Sequence, residues 1–115
     1  MAAWRAAPAL LWAALIWLLS SLPAAVLPPL FPHADKLAHG AAYAVLGGCL
    51  ALACPVATMA GAVRAVAIGT AYGASDEIHQ YFVPGRTTEI GDVAADWLGV
   101  AGAVWLIRRR NEGRP

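Results

Sequence analysis

The chain has 115 residues, enough for one domain, with 60% apolar and only 13% charged side chains and a formal net charge of +1. That charge content is about half that of a soluble globular domain, which excludes a well-solvated surface and points to lipid as the surrounding medium. Basic patches interleaved with aromatics are missing, which argues against nucleic acid, and Cys49 and Cys54 lie in an apolar run, where they read as small packing residues rather than a disulfide.

A membrane-crossing helix needs roughly 20 mostly apolar residues, with about 17 as the lower limit. The first candidate covers residues 6–22, with Pro8 in the opening turns, where proline is tolerated. A basic start at Arg5 and the "LPAA" stretch also fit a secretory signal peptide. The length of the apolar run and the proline-rich sequence after it favour a retained helix. That proline-rich sequence, "PAAVLPPLFPHADK", reads as a loop or a surface-lying segment. The second helix is predicted over 36–53, and Pro55 marks a short connection. The third is predicted over 61–81, with Arg64 near one mouth of the membrane. "VPGRTTE" is a turn built on Pro84-Gly85. The fourth helix is predicted over 90–107, followed by a polar, frayed tail over 108–115. The expected architecture is all-α: a polytopic membrane protein with a four-helix transmembrane bundle.

The charges orient these helices. Four crossings put both termini on one side, together with Arg5, Arg64, Arg108, Arg109, Arg110 and Arg114. The positive-inside rule makes that side cytoplasmic. His33, Asp35, His39, Asp76, Glu77, His79, Glu89, Asp92 and Asp96 then gather at the outer face, with Lys36 and Arg86. Helical spacing puts Asp35, His39 and Tyr43 on one face, Asp76 and Gln80 on a second, and Asp92 and Asp96 on a third. An ionised group at mid-bilayer costs about 2.5–3.5 kcal/mol on insertion scales, so these groups are expected to face one another or a wet cavity. Small residues recur every four positions at Gly40, Ala44 and Gly48, at Gly61, Ala65, Gly69 and Gly73, and at Ala95, Gly99 and Ala103. Such stripes let helices approach closely in lipid, and the second runs on to Glu77.

Two blocks, "DKLAHGAAYAVLG" at 35–47 and "YGASDEIHQYFVPGRTTEIGDVAADWLG" at 72–99, resemble the signatures of VanZ-like membrane proteins. The matching positions are Asp35, Lys36, His39 and Tyr43, then Asp76, Glu77 and Gln80, then Pro84, Gly85 and Arg86, then Asp92 and Gly99. Asp96 stands where the family usually has asparagine, and Gly40 where it usually has an aromatic. The resemblance implies a multi-pass protein of the bacterial plasma membrane and a link to susceptibility to the glycopeptide teicoplanin. It points to no particular reaction and leaves the cofactor unknown.

Three roles stand open for the polar residues. Lys36 and Arg86 can pair with Asp76, Glu77 or Asp92 and simply fix helix register. Alternatively, Arg86, Lys36, Asp35, Tyr43, Gln80 and Asp92 bind a membrane lipid or a lipid-linked envelope precursor, with the planar Arg86 fork suited to phosphate or carboxylate. In the third role Glu77, His39 and Asp76 are the acid/base groups of a membrane-embedded hydrolase or transferase, with histidine able to shuttle protons near neutral pH. His39, His79, Glu77 and Asp92 are of ligand types that suit a metal ion, but no short metal-binding spacing such as His-Glu-x-x-His occurs, so no metal site is predicted.

Overall fold

The computed structural model describes residues 3–23, 26 and 30–115. Among them it contains four α-helices: α1 at Ala7–Ser20, led by a 3-10 turn at Ala3–Ala6, α2 at Ala34–Ala53, α3 at Met59–Tyr81 and α4 at Ile90–Glu112. The predicted four-helix transmembrane bundle is therefore the architecture. The proline-rich segment lies partly outside the described residues. Ala3–Ser20, Ala34–Ala53 and Ile90–Glu112 are long and apolar enough to cross a membrane. At about 1.5 Å per residue, α3 also has the length for a crossing. Its lower apolarity comes from Arg64 and from the polar groups between Ser75 and Gln80. Asp76, Glu77 and Gln80 are nevertheless buried against the other helices, while Ile68 and Ile78 face outward. Exposed Leu10, Leu11, Leu18, Leu98 and Leu106 complete an apolar exterior that suits lipid rather than water.

Local chemistry sets the helix ends. Pro8 sits in the first turn of α1. Thr58 caps α3 by accepting a hydrogen bond from the Gly61 amide at 3.0 Å, while its hydroxyl donates to the Pro55 carbonyl at 2.9 Å. Gly61 thus packs inside the α2–α3 connection, against Pro55, and not on a helix–helix seam as its place in the small-residue stripe suggests. Asp92 lies in the first turn of α4 and Arg109 and Arg110 in the last, matching the helix dipole at both ends. The predicted stop at residue 107 and the frayed tail need correcting: α4 continues to Glu112. Arg108 stabilises the extension by pairing with Glu112 one turn on, at 3.0 Å, and by donating to the carbonyls of Val56 and Ala57.

The tightest seam joins α2 and α4, which run parallel. A methyl group on Gly47 would lie 2.7 Å from the Val100 carbonyl oxygen, and one on Gly99 would strike the Gly40 carbonyl. Only glycine lets the two backbones approach this closely. The antiparallel α3 closes the third side, with Gly69 against the Val100 side chain and Gly73 against Asp96 and Tyr43. Tyr43, Leu46, Leu50, Ala65, Val100 and Val104 form the core between them. The helix α1 docks through polar tips on apolar side chains. Trp12 Nε1 donates to the Ala42 carbonyl at 2.8 Å, and the Tyr72 hydroxyl donates to the Ala13 carbonyl.

Candidate functional site

The three helices α2, α3 and α4 converge at the end of the bundle opposite the arginine cluster. From α2, Lys36, His39 and Tyr43 point inward at successive turns; α3 contributes Asp76, Glu77 and Gln80, and α4 contributes Asp92 and Asp96. Asp76, Glu77, Asp92 and Asp96 are all at most 5% exposed. The tight α2–α4 approach at Gly40 and Gly99 brings His39 to Asp96, with Nδ1 2.8 Å from Oδ1. The absence of a side chain at Gly73 leaves room for Asp96 Oδ2. Glu77 Oε1 lies 3.8 Å from the same His39 nitrogen. One turn deeper, the Tyr43 hydroxyl donates to Asp76 Oδ2 at 3.1 Å. Tyr43 is 1% exposed and is flanked by the rings of His39 and Tyr72.

Several buried oxygens are left without a hydrogen-bond partner: Asp76 Oδ1, both Glu77 carboxylate oxygens, Asp92 Oδ1 and Asp96 Oδ2. Buried polar atoms are nearly always satisfied, and leaving one bare costs about 1–3 kcal/mol. Their concentration at one spot makes this cluster the candidate site of the bundle. The ligating atoms of His39, Glu77 and Asp96 all lie within 4.8 Å of one another, the spacing of a cation site.

The rim is different. Lys36 Nζ binds Glu89 Oε2 at 2.6 Å and lies 3.6 Å from both Asp35 and Asp92. Asp35 is largely solvent-facing and Asp92 is buried, so Lys36 bridges the surface and the interior. Arg86 sits apart from the carboxylates. Its Nε donates to the Leu22 carbonyl at 3.0 Å and its Nη2 to the Leu19 carbonyl at 3.2 Å, tying the turn after α3 to the end of α1. Gln80 donates to Ser20 Oγ at 3.2 Å. Nearby, the Ser21 hydroxyl donates to the Trp17 carbonyl, so His79 Nε2–H donates to Ser21, at 2.8 Å, while its ring stacks on Trp17. Of the sequence-predicted residues, Lys36, His39, Tyr43, Asp76, Glu77 and Asp92 thus belong to one constellation with Asp35 at its edge. Arg86 and Gln80 face α1.

Two residues outside the predicted set have direct partners in the constellation. Asp96 touches His39, and Glu89 touches Lys36. Asp96 carries a visible signal, four residues beyond Asp92 on the same face. Glu89 precedes the helix, and its place at the same outer face as Lys36 is its one signal. A depression of about 350 Å³ lined by Glu77, Ile78, Tyr81, Phe82 and Thr88 reaches Glu77 from the bundle's exterior. Its apolar walls suit access from the lipid side. A larger groove, about 960 Å³, lies elsewhere, between α3 and α4, and extends from Ala74 and Trp97 to Met59 and Glu112. It is walled mostly by small apolar residues and holds no part of the carboxylate cluster.

Apolar helices around a buried acid–histidine cluster define an α-helical, multi-pass membrane protein with a polar site near one end. The VanZ/LLP1 family matches residues 6–111, and the chain belongs to that family. The match reaches through α1, beyond the two sequence blocks that carry the resemblance. No curated protein and no solved structure gives a match to the chain.

Proposed function

We propose that this protein binds the polar head of a lipid or lipid-linked cell-envelope component at the outer leaflet of the bacterial plasma membrane, with both termini in the cytoplasm. The carrying observation is the depression that leads from exposed Ile78, Tyr81 and Phe82 to the unpartnered Glu77 carboxylate. Apolar walls over a polar floor match an amphiphile entering from the bilayer. Free carboxylate oxygens accept hydrogen bonds from hydroxyl or ammonium groups, and a phosphate on the same head would have to take Lys36 over from Glu89, Asp35 and Asp92 at the rim. The arginine-rich opposite end supports the orientation. Sequestering an envelope component at this face would alter what a glycopeptide meets there, so teicoplanin susceptibility is the cellular readout.

The test uses purified protein in nanodiscs, offered phosphatidylglycerol, phosphatidylethanolamine and an undecaprenyl-linked cell-wall precursor. Saturable binding of one of them, weakened tenfold or more by Glu77→Gln and by Lys36→Ala, supports the reading. Equal retention of all three by every variant overturns it.

The alternative is a membrane-embedded hydrolase or transferase acting on the same class of molecule. The 3.8 Å approach of Glu77 to His39 favours it, since that pair could move a proton during bond cleavage. Product release from the precursor that is lost in both His39→Ala and Glu77→Gln would establish turnover, whereas binding without product leaves the protein a binder.

A further inference from the structure

We infer that His39 Nδ1, one Glu77 oxygen and one Asp96 oxygen form a binding site for a single divalent transition metal ion, zinc or manganese. The site stands on its own geometry and does not depend on the head-group reading. The three ligands come from α2, α3 and α4, one from each, so the ion would cross-link the polar end of the bundle.

Three observations carry this. First, the donors are already gathered. Around a tetrahedral ion with bonds near 2.0–2.1 Å, donor atoms sit roughly 3.3 Å apart. The observed separations from His39 Nδ1, 2.8 Å to Asp96 and 3.8 Å to Glu77, bracket that value. Second, the donors have lone pairs to give. Glu77 is 5% exposed with neither oxygen hydrogen-bonded, and Asp96 is 1% exposed with Oδ2 unpaired. An unpaired buried carboxylate calls for a proton or a cation, and two of them converging on one imidazole favour a cation shared between all three. Third, the charges nearby do not balance. Asp76, Glu77, Asp92 and Asp96 are four buried carboxylates, with Lys36 and His39 as the basic side chains in contact with them, and Lys36 is shared with Glu89 and Asp35.

The donor set narrows the ion. One imidazole and two carboxylates suit zinc or manganese better than the all-oxygen shells of calcium or magnesium. Three protein ligands leave a position open, and the depression ending at Glu77 supplies the route to it. To bind through Nδ1, His39 must carry its ring proton on Nε2, so metal uptake displaces the Nδ1 proton when one is there. Asp76, held by Tyr43, stays beneath the site.

The experiment uses the full chain, stripped with chelator and returned to nanodiscs of phosphatidylcholine alone, so that no candidate head group is present. Titration with zinc or manganese chloride is expected to show one ion per chain. Asp96→Asn, Glu77→Gln and His39→Ala should each weaken binding at least tenfold, and Glu112→Gln, at the far end of α4, should leave it unchanged. Because a substitution in the cluster could impair folding, the wild-type protein is also loaded with cobalt and with manganese. Visible d–d bands of a four- or five-coordinate cobalt ion, and nitrogen modulation in the manganese spin-echo signal, report the site without any variant. No stoichiometric uptake overturns the inference, as does uptake without nitrogen coupling or uptake indifferent to all three substitutions. Head-group binding that persists after metal removal would leave the proposed function intact, so the two can fail separately.

Discussion

The two ends of the bundle are built on opposite principles. At the arginine-rich end the helices meet through small apolar contacts, and the charges point outward: Arg108 pairs with Glu112, and Arg109 lies over the Trp105 ring. At the other end the charges point inward, and four carboxylates are buried where lipid-embedded helices would be expected to carry leucine. The first arrangement is what stability alone would select. The second leaves polar groups unsatisfied, and such local destabilisation is characteristic of functional sites. The glycine seam between α2 and α4 serves both ends. It packs the apolar half, and it carries His39 onto Asp96 in the polar half.

Breaking the seam should have the largest effect. Gly99→Val or Gly47→Val forces a side chain into the facing backbone, and a loss of about 3 kcal/mol or more is expected, at the upper end of overpacking costs. Folded yield after detergent extraction and the thermal midpoint measure it. Gly102→Val is the matched control, because a methyl there meets nothing within 4 Å, and its midpoint should barely move. Next comes Arg86→Lys. One ammonium cannot reproduce the fork that holds both the Leu19 and Leu22 carbonyls, so a loss of about 2 kcal/mol is expected, in the range for charged hydrogen bonds. Faster proteolysis or hydrogen exchange should appear at the end of α1 and not in α4. Tyr43→Phe removes the hydroxyl that satisfies Asp76 and should cost about 1 kcal/mol, read as a lower midpoint in detergent.

The smallest stability change, and the sharpest contrast between the two ends, is expected for Glu77→Gln. Its oxygens make no hydrogen bond in the protein, so replacing a bare buried carboxylate by a neutral amide should leave the apo midpoint unchanged or raise it, while ligand binding falls. A substantial drop in apo stability, comparable to that of Arg86→Lys, would mean that Glu77 is a structural residue and that the polar end follows the same rule as the apolar one.

Composition and pattern already make the chain helical and lipid-embedded, since 60% apolar residues in long runs permit little else. The same pattern placed Asp35, His39, Asp76, Glu77 and Asp92 at one end of the bundle, because helical rise converts position along a crossing helix directly into depth. Rotation about the helix axis and choice of partner are not encoded that way. Packing alone brought Gly47, outside the four-residue stripe, against the Val100 backbone. It likewise directed Arg86 to the carbonyls of α1 and away from the acids, and made Asp96 the partner of His39 across 57 residues of chain. A cation site assembled from one residue on each of three helices leaves no short spacing to read, because its ligands become neighbours only when the helices pack.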